Sequence, residues 1–356
     1  MKTLGNAASA LVFGALALAA GQPATAAVVL VGNTNGNNVV LVNTDTGRIV
    51  RDFIAAGSGG LISPDDLNYG PDGNLYVSSG TKTGGAILRY DGQTGAFIDE
   101  FATSASLRRP YGAAFGPDGL LYVSSFRSDE ILTYNATTGA FAGVFASGDG
   151  TANGLNGPND LLFGPDGTLY VTTQGSVADA NGDVSFTQKS QILKYDIATG
   201  TGTVFVDQPA PWPTSFGFVS YLGLAFGPDG NLYSTDFANG IRAYDLATGS
   251  EVGTLDTNYT GTNPSGNFIG NLLFDGPDLL FTGFLTGSGN IGSVLGATIG
   301  APQVLATGAL LQRPIGITLA ATNIAAVPLP AGILTLLAGL VALGGIARRQ
   351  RRAVAA

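Results

Sequence analysis

The chain has 356 residues, 45% of them apolar and only 12% charged, with 25 acidic against 16 basic residues and a formal net charge of −9. It contains no histidine and no cysteine, which excludes a Ser-His-Asp triad, histidine-held metals, disulfides and thiol chemistry. The acidic balance argues against nucleic acid and against anionic membrane surfaces as partners.

Residues 1–26 combine Lys2, an apolar stretch from Ala8 to Ala20 and the small-residue site Ala24-Thr25-Ala26. That is the pattern of a secretory signal peptide, with the mature chain expected to begin after Ala26. Segment 27–56 follows and is expected to supply three strands of an incomplete repeat unit.

From here one phrase recurs: Tyr69-Gly-Pro-Asp-Gly-Asn-Leu-Tyr-Val77, Phe115-Gly-Pro-Asp-Gly-Leu-Leu-Tyr-Val123, Phe163-Gly-Pro-Asp-Gly-Thr-Leu-Tyr-Val171 and Phe226-Gly-Pro-Asp-Gly-Asn-Leu-Tyr233, with a degraded copy from Phe274 to Phe281. The aromatic heads stand 46 to 63 residues apart, a period that marks a solenoid or a propeller. A second phrase, Asp/Asn-x-x-Thr-Gly, closes at Gly95, Gly139, Gly200 and Gly249, with variants ending at Gly47 and Gly300. Both read as hairpin turns: proline presets φ, Asp caps the local backbone, and glycine accepts a left-handed conformation. The flanking apolar runs are strands, four to a unit. Units are expected at about 65–102, 110–146, 158–206, 221–255 and 269–306.

The strand missing from segment 27–56 is found at the far end, where Arg313-Pro-Ile-Gly-Ile-Thr-Leu319 matches the unit opening Arg109-Pro-Tyr-Gly-Ala-Ala-Phe115. The expectation is an all-β, six-bladed propeller over 27–323, its first blade closed by strands from both termini, which leaves no open sheet edge between blades.

The two turn phrases emerge on one face of such a ring, while blade-to-blade links and second-to-third-strand loops emerge on the other. Ligands are expected on that second face, at the mouth of the central channel. Aligning the blade openings gives one column of Asp66, Gly112, Asp160, Gly223, Asn271 and Gly316, and beside it Asp65, Tyr111, Asn159, Leu222, Gly270 and Ile315. Oxygen-bearing side chains in alternate blades suit calcium or magnesium, so Asp65, Asp66, Asn159, Asp160 and Asn271 are candidate ligands. The same residues also suit strand caps that bond neighbouring backbone. The turn residues Asp72, Asp118, Asp166 and Asp229 are expected to be structural.

The fourth unit carries 21 residues between Tyr170 and Ile192, against 8 between Tyr122 and Ile131. Within it Asp179-Ala-Asn-Gly-Asp183 has the spacing that opens a calcium loop, but Val184 replaces the glycine that would follow and Ser190 the closing glutamate. Asp179 and Asp183 are therefore weak metal candidates beside the alternative of a plain polar loop. Trp212, the only tryptophan, sits in a proline-rich link; with Tyr111 and Tyr221 it is a candidate aromatic platform for a sugar ring, or else packing over a blade.

Past the last strand, Val327-Pro-Leu-Pro-Ala-Gly332 precedes an apolar run from Ile333 to Ala347 and then Arg348-Arg-Gln-Arg-Arg352. A hydrophobic helix, nearly long enough to span a bilayer, is expected here, with its arginines cytoplasmic. This tripartite tail resembles a PEP-CTERM sorting signal in its Val-Pro-Leu-Pro-Ala variant, over 26 residues (327–352); an ordinary membrane anchor is the alternative. The resemblance implies an exported, surface-sorted protein of a Gram-negative bacterium, held transiently in the inner membrane, processed by an exosortase around Val327, Pro328 and Pro330, and associated with exopolysaccharide. Without both ends the charge is 11 basic against 25 acidic residues, a net −14. A monomer is expected.

Pro158-Asn159-Asp160-Leu161 followed by Phe163-Gly-Pro-Asp-Gly-Thr-Leu-Tyr-Val171 resembles the NHL-repeat and gluconolactonase or regucalcin-like propellers. That resemblance implies a metal-ligand role for Asn159. The lactonases add an early glutamate, whereas no glutamate precedes Glu100 here, and the streptogramin lyase-type propellers use histidine, which this chain lacks. Two functions remain in view. The favoured one is a non-catalytic propeller that binds extracellular polysaccharide or a protein partner; the other is a calcium- or magnesium-dependent, lactonase-like hydrolase or lyase.

Overall fold

The computed structural model describes residues 28–238, 240–285, 291–297 and 302–321. The expected signal peptide with Ala26, the sorting motif with Val327, Pro328 and Pro330, and the C-terminal helix lie outside the described residues. Among those described, no helix is long and apolar enough to cross a membrane.

The chain forms six four-stranded antiparallel sheets arranged as blades. In blade 1, strands β1 (Val28–Asn33), β2 (Asn38–Asn43) and β3 (Arg48–Ile54) are completed on the inside by the last strand, Pro314–Leu319. That strand pairs Leu319 with Val29 and Ile317 with Val31, so the termini close the ring. Blades 2 to 6 occupy residues 67–103, 110–147, 158–206, 221–256 and 267–312, close to the boundaries the repeats predict.

Apolar residues cluster between blades rather than within them. One cluster joins Leu30, Val39 and Phe53 of blade 1 to Leu67, Leu75 and Tyr90 of blade 2; another joins Val29 and Val40 of blade 1 to Leu280 and Val294 of blade 6. The repeated phrase supplies the fit. Tyr76, Tyr122 and Tyr170 each meet a phenylalanine of their own blade's outer strand edge-on, namely Phe101, Phe145 and Phe205. Each also meets the phrase head of the next blade, namely Phe115, Phe163 and Phe226, at 5.0 to 6.0 Å between centroids. Tyr233 meets Phe274 in the same way at 4.9 Å. The hydroxyls of Tyr76, Tyr122 and Tyr233 donate to the turn carboxylates Asp72, Asp118 and Asp229, so these aspartates are structural, as expected.

The Asp/Asn-x-x-Thr-Gly turn has a matching role. Asp91 accepts from the Thr94 amide and hydroxyl at 2.8 and 2.7 Å, which holds its carboxyl below the usual carboxylate range. The closing glycines abut the outer strand of the preceding blade. A Cβ on Gly95, Gly139 or Gly249 would collide with the carbonyl oxygen of Phe53, Phe101 or Phe205. Every outermost strand pairing carries a register shift, and such bulges keep the exposed edges from pairing with other chains.

The insertion in blade 4 is more ordered than its sequence indicates. It forms a small antiparallel hairpin, Ser176–Ala178 with Val184–Phe186. Two strands of three residues are too short for an alternation pattern to register.

The glycine positions offer a direct test. Gly139 and Gly119 both have positive φ (71° and 81°), but a Cβ on Gly119 has nothing within 4 Å whereas one on Gly139 meets Phe101. In urea unfolding, Gly119→Ala should cost about 1 kcal/mol, the backbone penalty alone. Gly139→Ala should cost about 3 kcal/mol, because blade 3 must shift from blade 2. Equal costs would contradict this packing.

Candidate functional site

Four blades enter their inner strand through a left-handed residue followed by proline: Ser63, Arg109, Gly157 and Arg313, with φ of 46° to 66°. L-residues resist this conformation by about 1–2 kcal/mol, and its recurrence at one place in the ring puts the strand entries around the channel. Just inside lie the two aligned columns. Asp65, Asp66, Tyr111, Asn159, Asp160 and Asn271 all line a constriction of about 10 Å³, together with Gly112, Gly223, Leu222 and Ile315.

The alternation of Asp or Asn with Gly has a packing cause. Asp66 accepts from the Leu67 amide at 2.9 Å and reaches into the next blade to accept from the Ala113 amide at 2.9 Å. Asp160 does the same with Leu161 at 2.8 Å and with Leu224 of the next blade at 2.7 Å. Asn271 accepts from Leu272 at 2.8 Å, and its side chain is hydrogen-bonded to Asp160. The intervening positions must then be bare, since a Cβ on Gly112 or Gly223 would strike Asp160 or Asn271, and one on Gly316 the Asp65 carbonyl. These oxygens thus make the strand-capping bonds. Among the described residues there is no group of three or more Asp, Glu, His or Cys side chains placed to share a metal ion.

Burial dominates the electrostatics here. Asp66 is pushed up to about 6 by desolvation, against the hydrogen bonds from Ala113, Leu67 and Asn68 and with the Asp65 charge adding to the rise. Asp160 is raised well above the carboxylate range, first by burial and then by the neighbouring Asp66 charge. Asp65 also rises to about 6, because its burial outweighs the pull of Arg109 and Arg313.

Above the constriction opens a vestibule of about 320 Å³. Its walls come from blade links and second-to-third-strand loops, the face on which ligands are expected. Asp65 shares it with Arg109, which donates to the carboxylate at 2.7 Å and to the Gly80 carbonyl at 2.9 Å. Arg127 and Arg313 also line it, as do Phe126, Gln174, Phe186 and Phe237. Tyr111 packs against Phe126 at 4.7 Å and lies under the Arg109 guanidinium at 5.1 Å. Phe237 stacks on Phe268 at 4.4 Å. The blade 4 hairpin forms one side and is pinned to blades 2 and 3: Lys82 pairs with Asp183, Arg108 donates to the Ala180 carbonyl, and Arg127 to that of Gly182 at 2.6 Å. The Ala178 amide is received by the buried Asp129.

Other sequence candidates fall elsewhere. Asp179 caps its own turn, accepting from the Asn181 and Asp183 amides at 2.9 and 2.8 Å. Trp212 is outside the vestibule, with the Arg242 guanidinium 5.0 Å from its ring on blade 5. Arg242 is itself buried between Asp236 and Glu251. Tyr221 is fully buried and bonds Tyr244. Missing from the sequence candidates were the vestibule arginines and Phe186. The signal for two of them was the Arg-Pro dipeptide at 109–110 and 313–314.

No protein-family model matches the sequence, and no curated protein sequence matches it. The fold is similar to that of a chain in the crystal structure of a nidogen/laminin complex, with a TM-score of 0.57 and 13% identity over 83% of this chain and 98% of that one. It is similar to a protein of unknown function from Bacteroides caccae, with a TM-score of 0.55 and 13% identity over 82% and 98%. A streptogramin B lyase superposes with a TM-score of 0.51 and 16% identity over 82% and 83%. At such identities the likeness shows the propeller fold alone.

The raised carboxyls set a pH dependence. A folded-state pKa above the unfolded value gives stability that is complete below about 3.8 and is lost as pH rises through about 6. The urea midpoint should therefore fall from pH 4 to pH 7, and fall less in Asp66→Asn. Turn carboxyls such as Asp91, whose pKa is lowered, act below this window. An identical slope in the variant would contradict the assignment.

Proposed function

We propose that this chain is an exported, non-catalytic binding propeller that holds an extracellular polysaccharide or a protein partner in the channel-mouth vestibule. The observation that carries this reading is the vestibule itself: a cavity of about 320 Å³ walled by arginines, aromatic rings and carboxamides. Among the described residues its one carboxylate, Asp65, is ion-paired to Arg109. Pockets of this size with apolar walls and a few placed polar groups suit recognition of a compact ligand unit. Export is supported by the N-terminal pattern ending at Ala26 and by the tail from Val327. Through that tail an exosortase-type enzyme would release the protein from the inner membrane to the cell surface.

The raised pKa values of Asp66 and Asp160 favour a second reading. Two buried carboxylates that disfavour each other's charge are a place where calcium or magnesium would relieve the repulsion, with Asn159 and Asn271 as further oxygens. In that case the protein is a metal-dependent hydrolase or lyase of lactonase type. The ion would have to displace the amide bonds that both carboxylates now accept.

Electrophoresis of the purified protein through gels containing extracellular polysaccharide, with and without calcium or magnesium, separates the two. The binding reading expects retarded migration, about tenfold weaker in Phe186→Ala, and no new polymer ends. Depolymerisation or lactone hydrolysis that needs the cation and disappears in Asp160→Ala would overturn it.

A further inference from the structure

The vestibule is cationic in a protein that is otherwise acidic. Arg109 is neutralised by Asp65 at 2.7 Å, but among the described residues neither Arg127 nor Arg313 makes an ion pair. The ion pairs among the described residues involve only Lys82, Arg89, Arg109, Lys189 and Arg242. Arg127 spends one nitrogen on the Gly182 carbonyl. Arg313 is held in a left-handed backbone conformation, its guanidinium lies 5.4 Å from the centre of the Phe284 ring, and its buried Nε has no hydrogen-bond partner. A donor left unsatisfied in a buried site carries a desolvation cost, which leaves the Arg313 guanidinium short of partners. Arg127 and Arg313, two cations without a close ion pair, of which Arg313 also acts on Asp65 at longer range, focus an attractive field on anions in this half-enclosed cavity.

We propose that the vestibule takes an acidic sugar unit, a uronate, whose carboxylate docks on Arg313 and Arg127. This inference rests on the polysaccharide-binding reading above and specifies its ligand. The guanidinium fork matches a planar carboxylate. The ring has an apolar face to lay on Phe186, which is 65% exposed, and hydroxyls to meet Gln174 and Asn159. Asp65 is ion-paired to Arg109 and makes no close ion pair with Arg313, on which it acts only at longer range.

Calorimetric titration of the full chain with uronate trimers (galacturonate, glucuronate and mannuronate), each beside its methyl ester, tests this. The expected result is that at least one acid binds and its ester binds at least about tenfold more weakly, the worth of a charge-assisted bond, with affinity falling as salt is raised. Arg313→Gln should weaken the acid and leave the ester unchanged. Arg127→Gln should do the same, and it serves if the first variant unfolds at lower temperature. Equal binding of acid and ester, or indifference to both arginine variants, overturns the uronate assignment while the binding reading stands. Competition by polyglutamate as strong as by the trimers also overturns it, in favour of an acidic protein partner. Failure of all sugars, acid and ester alike, overturns the uronate assignment together with the polysaccharide form of the binding reading.

Discussion

The structure depends on an edge-to-face contact between the second-strand tyrosine of one blade and the phenylalanine that heads the next blade's phrase. A closed ring has no slack: each blade must meet both neighbours at the angle that lets the last strand join the first. At the four junctions from blade 2 to blade 6 the Tyr–Phe pairs at Tyr76, Tyr122, Tyr170 and Tyr233 set that approach on the inside. The glycine of the Thr-Gly turn sets it farther out by letting the turn lie on the preceding blade's carbonyls. Both phrases therefore encode the interface between blades more than the blade itself, which is why the apolar clusters lie across blade boundaries.

The channel inherits its chemistry from the same geometry. Blades packed this closely bring their inner strands near enough for Asp66 and Asp160 to bond amides of the neighbouring blade, and only glycine fits opposite them. Carboxylates used in this way are buried and raised in pKa, while the vestibule above is freed for other groups. The strand entries there carry Arg109 and Arg313, and the hairpin brings Phe186. Structure at the axis and recognition at the mouth are thus two layers of one construction.

The blade count, the strand-to-strand turns, the closure by Pro314–Leu319 and the two channel columns were all legible in the sequence, because each repeats and the copies can be laid over one another. What failed to show was what does not repeat. The hairpin at 176–186 occurs once and is held by Lys82, Arg108 and Arg127 from other blades, a dependence that no local pattern contains. Trp212 looked like a sugar platform by residue type, but Arg242, a buried cation with two carboxylate partners, takes its ring. That Asp66 and Asp160 bond amides of the neighbouring blade depends on which amides lie within reach, and that is fixed only once the blades are packed.

A double-mutant cycle on Tyr122→Leu and Phe163→Leu, followed by urea unfolding, tests the interblade contact most directly. The two rings stand 5.2 Å apart across the junction of blades 3 and 4. The account predicts a coupling of about 0.5–1.5 kcal/mol beyond the sum of the single losses of apolar burial. Strictly additive losses would mean that the two rings fill space independently, and the contact would no longer explain how blades 2 to 6 approach one another.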